Sequence, residues 1–164
     1  MKFRVACSLL FLMVAEAAFA LSCMRPDAVR LYENARDSED TYWIAQGRLR
    51  LKERLNVPTP PEPNRLTTES HFADTRAQFL GRVLIEDGSF HPFARNITLR
   101  LSCLSVWCAS APPDESMIAA IRVDGDALVL DVDPCNSFAV QMDEDGLNRL
   151  VACHKGGECV VPLP

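Results

Sequence analysis

The chain has 164 residues, a net charge of −5, 48% apolar and 24% charged residues, a balance that places it among globular proteins and excludes disordered and collagen-like chains. Its acidity argues against nucleic acid as a main partner, because phosphate recognition is driven by clustered Lys and Arg. Seven cysteines are too many for a typical cytosolic protein of this length and point to an exported, disulfide-bearing chain.

Lys2 and Arg4 precede an apolar run, Leu9 to Val14, that leads into Ala17, Ala18, Phe19 and Ala20. A positive region, an apolar core and small residues together form the layout of a secretory signal peptide over residues 1–20. The core is shorter than the roughly 20 apolar residues a membrane span needs. No other segment is apolar enough to span a bilayer, so residues 23–164 are expected to form a single soluble domain, secreted or periplasmic, with no transmembrane segment. Cleavage after Ala20 exposes Leu21, and cleavage after Ser22 exposes Cys23. A lipid anchor on Cys23 is a third route, but Ala20-Leu21-Ser22 makes a poor lipobox because its leucine is misplaced.

Losing Cys7 with the leader leaves Cys23, Cys103, Cys108, Cys135, Cys153 and Cys159. This even set fits three disulfides in an oxidising compartment, with about 15 connectivities open in principle. Local spacing narrows them. Cys153 and Cys159 flank a loop that Gly156 and Gly157 can close, Cys103 and Cys108 are near neighbours, and Cys23 and Cys135 are left as the long tie. A zinc site is the alternative, but these spacings fit short zinc knuckles poorly and thiolates oxidise outside the cytosol.

Pro26-Asp27 is a helix-start signal, and Ala28, Val29, Leu31, Tyr32 and Ala35 follow at helical spacing, which predicts a helix over 27–37. From Tyr42 to Leu51 the pattern changes to period two, with Trp43, Ala45, Gly47, Leu49 and Leu51 on one face of a half-buried strand. Residues 56–70 hold Pro58, Pro60, Pro61 and Pro63 among polar residues and are expected to form a stiff exposed loop. A second strand carries Ala77, Phe79, Gly81, Val83 and Ile85 on one face. Gly47 and Gly81, each mid-strand, signal a bulge or a sharp coil.

Ile97, Leu99, Leu101 and Cys103 mark a third strand. Residues 118–132 form a hairpin about Asp124-Gly125, read as a type I′ turn that sets Ile121 against Leu128 and Ala119 against Leu130. A short helix near 143–151 carries Leu147, Leu150 and Val151 inward. Five antiparallel strands with mid-strand glycines and one or two short helices suit a mostly β fold, a small disulfide-stapled barrel of the OB type. The rival, a β-sandwich, usually needs about seven strands.

This order of features resembles the netrin-like module, best known from the tissue inhibitors of metalloproteinases. In that family a cysteine precedes a helix and a long first strand, and a projecting loop leads to the second strand. A further cysteine follows the third strand, and a hairpin with a D-G-type turn ends at another. Here the matching features are Cys23, the 27–37 helix, the strand from Tyr42, the proline loop, Cys108, and Asp124-Gly125 before Cys135. The resemblance spans roughly residues 23–140 and implies a Cys23–Cys135 bond. Those inhibitors open with Cys-x-Cys and place the first cysteine's α-amine and carbonyl on the protease zinc. This chain has one cysteine there, and its amine is free only if cleavage follows Ser22.

Motifs for catalysis are sparse. His71, His91 and His154 form no ligand-spaced pair, and His71 and His91 fall in expected loops. There is no G-x-S-x-G elbow, P-loop or G-x-G-x-x-G. Acidic residues cluster at Asp124, Asp126, Asp131 and Asp133, and again at Asp143, Glu144 and Asp145. The second cluster matches the middle of a calcium loop but has Ala152 where a bidentate Glu is needed. Asn96-Ile97-Thr98 is a glycosylation sequon, relevant in a eukaryotic source. No cofactor, metal or catalytic residue is expected. The leading expectation is an exported, non-enzymatic binding domain that holds a protein partner through its open barrel face or proline loop. The second is a secreted metallopeptidase inhibitor of the netrin-like kind, with an extracytoplasmic peptidase as partner. The third is an enzyme with a dispersed carboxylate pair.

Overall fold

A computed structural model describes residues 23–60, 71–112 and 115–162. Residues 1–20, expected from the sequence to be a signal peptide, and residues 61–70 of the proline-rich segment lie outside the described residues.

Helix α1 (Ala28–Arg36) begins where Asp27, in extended backbone, accepts hydrogen bonds from the Val29 and Arg30 N–H groups. These are donors that the first helical turn leaves without intrahelical partners. The second carboxylate oxygen of Asp27 accepts from Arg149 at 2.9 Å, and Arg149 belongs to helix α2 (Glu144–His154). One aspartate thus caps the first helix and ties it to the second. Asp27→Ala is expected to cost about 1–2 kcal/mol, the usual loss of a cap plus a partly shielded ion pair, read as a shift in urea unfolding.

The strands are β1 (Tyr42–Leu51), β2 (Phe72–Leu84), β3 (Phe90–Leu104), β4 (Trp107–Cys108), β5 (Met117–Asp124), β6 (Ala127–Val132) and β7 (Ala139–Gln141). β1, β2 and β3 form an antiparallel meander. β3 then pairs in parallel with β6, Thr98 opposite Val129 through Leu101 opposite Val132. β6 returns antiparallel to β5, and β5 closes on β1 with Tyr42 opposite Arg122 and Gly47 opposite Met117. Five strands therefore make a closed ring of pairing, β1-β2-β3-β6-β5 and back to β1. β4 extends β3, and β7 extends the second edge of β5.

Two apolar cores lie on opposite faces of this sheet. One gathers Ala45, Phe79, Leu99, Leu101, Ile121 and Leu130. The other holds Leu31 of α1, Leu150 of α2, and Ile44, Ile118 and Ala120 of the sheet. β5 feeds both, so Met117 to Ile121 are all buried, as in a strand covered on both faces. The two helices form a layer over one face of the sheet. Among the described residues no helix is long and apolar enough to cross a membrane.

Several details differ from the sequence reading. Asp124 stands opposite Ala127, so the two-residue turn is Gly125-Asp126, one position later than expected. Only Gly125 has positive φ, at 58°, the sign pattern of type II′ rather than I′. Val123 consequently meets Leu128, and Arg122 meets Val129. The two-position shift in register sum leaves every side chain on its expected face. β2 and β3 are longer than expected, and His91, expected in a loop, is an exposed residue of β3. Pro58 is buried in the segment expected to be exposed. Its neighbour Asn56 runs along β2, donating its N–H to the Thr75 hydroxyl and its side-chain amide to the Asp74 carbonyl.

Candidate functional site

Three disulfides form, Cys23–Cys135, Cys103–Cys108 and Cys153–Cys159. The last two close a hairpin tip and the loop after α2. The first joins the segment before α1 to the β6–β7 loop. That loop is shaped by Asp133, whose carboxylate accepts from the Cys135 N–H at 2.7 Å and the Ser137 N–H at 3.2 Å. Asn136 takes the left-handed backbone, φ 54°, that short polar side chains tolerate. Cys135 is thus presented by a fixed turn, and the Cys23–Pro26 segment is clasped against it while remaining exposed.

A groove of about 1020 Å³ runs beside this clasp. Met24, Met117, Val140 and Met142 supply an apolar floor and wall. Arg25, Arg30 and Arg149 bring positive charge, and Asp143 and Asp145 bring negative charge. A smaller recess of about 220 Å³ continues between Met24, Arg30, Leu31 and the Cys135–Ser137 turn. Arg149 is held on one side by Asp27, and its buried Nε has no hydrogen-bond partner among the described residues. Asp143 caps α2, accepting from the Gly146 N–H at 2.6 Å, so the acidic run compared with a calcium loop is the start of a helix. Among the described residues no three His, Cys, Asp or Glu side chains gather as a metal site.

The other acidic cluster is organised around a cation. Arg122 donates to Asp131 at 2.8 Å and to Asp124 at 3.3 Å, with Asp40 at 3.9 Å. The Asp131 hydrogen bond leads in raising the Arg122 pKa above its ordinary value, so the guanidinium stays charged. Tyr42, stacked on Phe138, borders the same cluster. Burial, then the charges of Asp131 and Asp40, raise its phenol pKa above the ordinary value. Asp126 stands in the exposed β5–β6 turn. This is a structural ion-pair network on the outer face of the hairpin.

Of the histidines, His154 bridges elements, with Nε2 3.0 Å from the Ile85 carbonyl and Nδ1 3.2 Å from the Tyr32 hydroxyl. His71 leads into β2 and its carbonyl accepts from the Cys103 N–H. Neither has a serine, threonine, cysteine or carboxylate side chain as hydrogen-bond partner among the described residues. The sequence reading missed the groove residues Met24, Arg25, Arg30 and Arg149. They come from separate segments and carry no common motif. Comparison of the chain with protein-family models, with curated proteins and with solved structures gives no match.

Proposed function

We propose that the chain is an exported binding domain on an OB-type barrel, with the groove beside the Cys23–Cys135 clasp as its seat for a polypeptide segment of a protein partner. The observation that carries this is the groove's make-up: apolar Met24, Met117, Val140 and Met142 lie together with the guanidinium groups of Arg25, Arg30 and Arg149 and the carboxylates of Asp143 and Asp145. Small-molecule clefts are more enclosed and predominantly apolar. A peptide offers apolar side chains for the floor and charges of both signs for its lining. The closed five-strand order with its parallel β3–β6 pairing supports the OB-type reading. Three disulfides fit an oxidising compartment outside the cytosol.

A photo-crosslinking residue at position 24 or 145 tests the groove in the export compartment. Adducts to one defined protein are expected there, and not from position 80 on the ring's outer face. Met24→Glu is expected to weaken binding of that protein at least tenfold without changing the melting temperature. Equal adducts at all positions would sink the groove as the site.

One observation favours the inhibitor reading as an alternative: Cys23, disulfide-bonded and exposed, stands at the edge of the recess. It requires a processed chain beginning at Cys23, established by intact mass. Such a chain would inhibit zinc peptidases, and inhibition would vanish on acetylation of its α-amine. A chain beginning at Leu21 discards this mechanism.

A further inference from the structure

Away from the groove, exposed apolar surface is concentrated at one place. Of the ten large apolar side chains exposed among the described residues, Phe72, Leu104, Val106 and Trp107 belong to one corner of the sheet. Leu104 is 57% and Trp107 48% exposed, although the two are directly paired across β3 and β4. Phe72 stands opposite Ser102 on β3, two residues before Leu104, so it shares the outer face with Leu104 and Trp107. The next pair along, Cys103 and Cys108, is locked by a disulfide, and Ser105 turns the chain with φ 54°. The tip is therefore short and fixed.

The stretch of chain that forms the tip carries no charge. Residues 101–113 contain no ionisable side chain other than the bonded cysteines, in a chain of which 24% is charged. On the adjoining outer face Arg100 and Asp74 neutralise each other through two hydrogen bonds of 2.8 Å, and the guanidinium lies 4.5 Å from the centre of the Phe72 ring. Seating this corner in an apolar medium strips no unpaired charge of its water.

We propose that the disulfide-closed tip, Leu104, Val106 and Trp107 with Phe72 behind it, inserts into the interfacial layer of a lipid bilayer and brings the domain reversibly to a membrane surface. A hairpin tip is a knob, and four side chains fall well short of the roughly 800 Å² per partner that a stable protein interface buries. A bilayer interface asks for no matching shape and favours Trp, whose ring is apolar and whose N–H stays hydrated. The turn's open backbone groups limit entry to the interface, because hydrocarbon would leave them without partners. With a net charge of −5, attraction to anionic lipid is not the driving term, so zwitterionic lipid is the matching surface.

The test is flotation of the exported, disulfide-bonded protein with phosphatidylcholine vesicles, together with Trp fluorescence. The chain has two tryptophans, so Trp43→Phe leaves Trp107 as the sole reporter. Co-flotation insensitive to salt is expected, with Trp107 emission moving to shorter wavelength and quenched by brominated phosphatidylcholine. Leu104→Ser with Trp107→Ser should lower vesicle binding at least tenfold, and Leu80→Ser, exposed elsewhere on the sheet, should leave it unchanged. Quenching of Trp107 needs no substitution in the tip, so it decides the matter even if the double variant folds poorly. Absence of flotation, binding confined to anionic vesicles and lost at high salt, unquenched Trp107, or loss of a protein partner rather than of lipid from the tip variant would each overturn the proposal. Met24→Glu in the groove should leave vesicle binding intact, which separates this site from the groove.

Discussion

Replacing Cys23 and Cys135 together by serine is expected to remove about 5 kcal/mol of stability, the largest loss from any one disulfide here. The bond joins residues separated by 112 positions, and cross-linking so long a loop removes the most freedom from the unfolded chain. The other two bonds close separations of 5 and 6, for which the same argument gives about 2 kcal/mol each. The native state adds to the difference, because the long bond holds the segment that leads into α1, and Leu31 of that helix is part of the second core. Guanidinium unfolding of the three double-serine variants measures the ranking. A Cys23/Cys135 variant no less stable than the other two would mean that unfolded-state entropy does not dominate.

The second large effect is expected at the glycine pair in the middle of β1 and β2. Gly47 and Gly81 stand directly opposite each other in continuous register, so the sequence's alternative of a bulge gives way to close strand approach. A Cβ on Gly81 would fall onto the Gln46 carbonyl oxygen and lie 2.6 Å from the Gly47 Cα. A Cβ on Gly47 would fall onto the Leu80 carbonyl oxygen and lie 2.8 Å from the Gly81 Cα. Every obstructing atom is backbone, so no side chain can rotate away, and the strands themselves would have to separate. Gly47→Ala or Gly81→Ala should each cost about 3 kcal/mol, the upper part of the range for overpacked sites. The double variant should not be milder than either single one. Urea midpoints check this, and a loss below about 1 kcal/mol would mean that the sheet flexes more easily than its register implies.

Much of the secondary structure was legible because local signals were strong. Asp27 fixes the start of α1, and alternation from Tyr42 to Leu51 spans β1. Alternation marks β3 only from Ile97, whereas the strand begins at Phe90 and runs through Pro92. The structure shows why proline is tolerated there. Cys103 donates its N–H to His71, so alternate residues back to His91 point theirs at β2, and position 92 points its missing N–H away. The second core leaves one mark in the sequence, the unbroken apolar run Met117 to Ile121. An apolar run without alternation indicates a strand covered on both faces. The hairpin turn falls one residue later than the sequence suggests because Asp124-Gly125 and Gly125-Asp126 are both good turn pairs, and cross-strand packing chooses between them. The groove was beyond reach of the sequence, since Met24, Met117, Val140 and Arg149 meet only after the ring has closed.

That closure also orders the events of folding. β2 and β3 are joined through a tight turn in which Ile85 donates to Ser89, so their long ladder is cheap in chain entropy and can form early. The β1–β5 pairing joins residues roughly 70–80 positions apart, and the parallel β3–β6 pairing must wait for β5 to reverse the chain. With pairings this distant in sequence, closure of the last seam is expected to limit the folding rate, which stopped-flow refolding of Gly47→Ala and of a β2–β3 turn variant would check. Until that seam closes the edges of β1 and β5 stand open, which makes this interval the one in which a second unfolding chain could pair in place of the first.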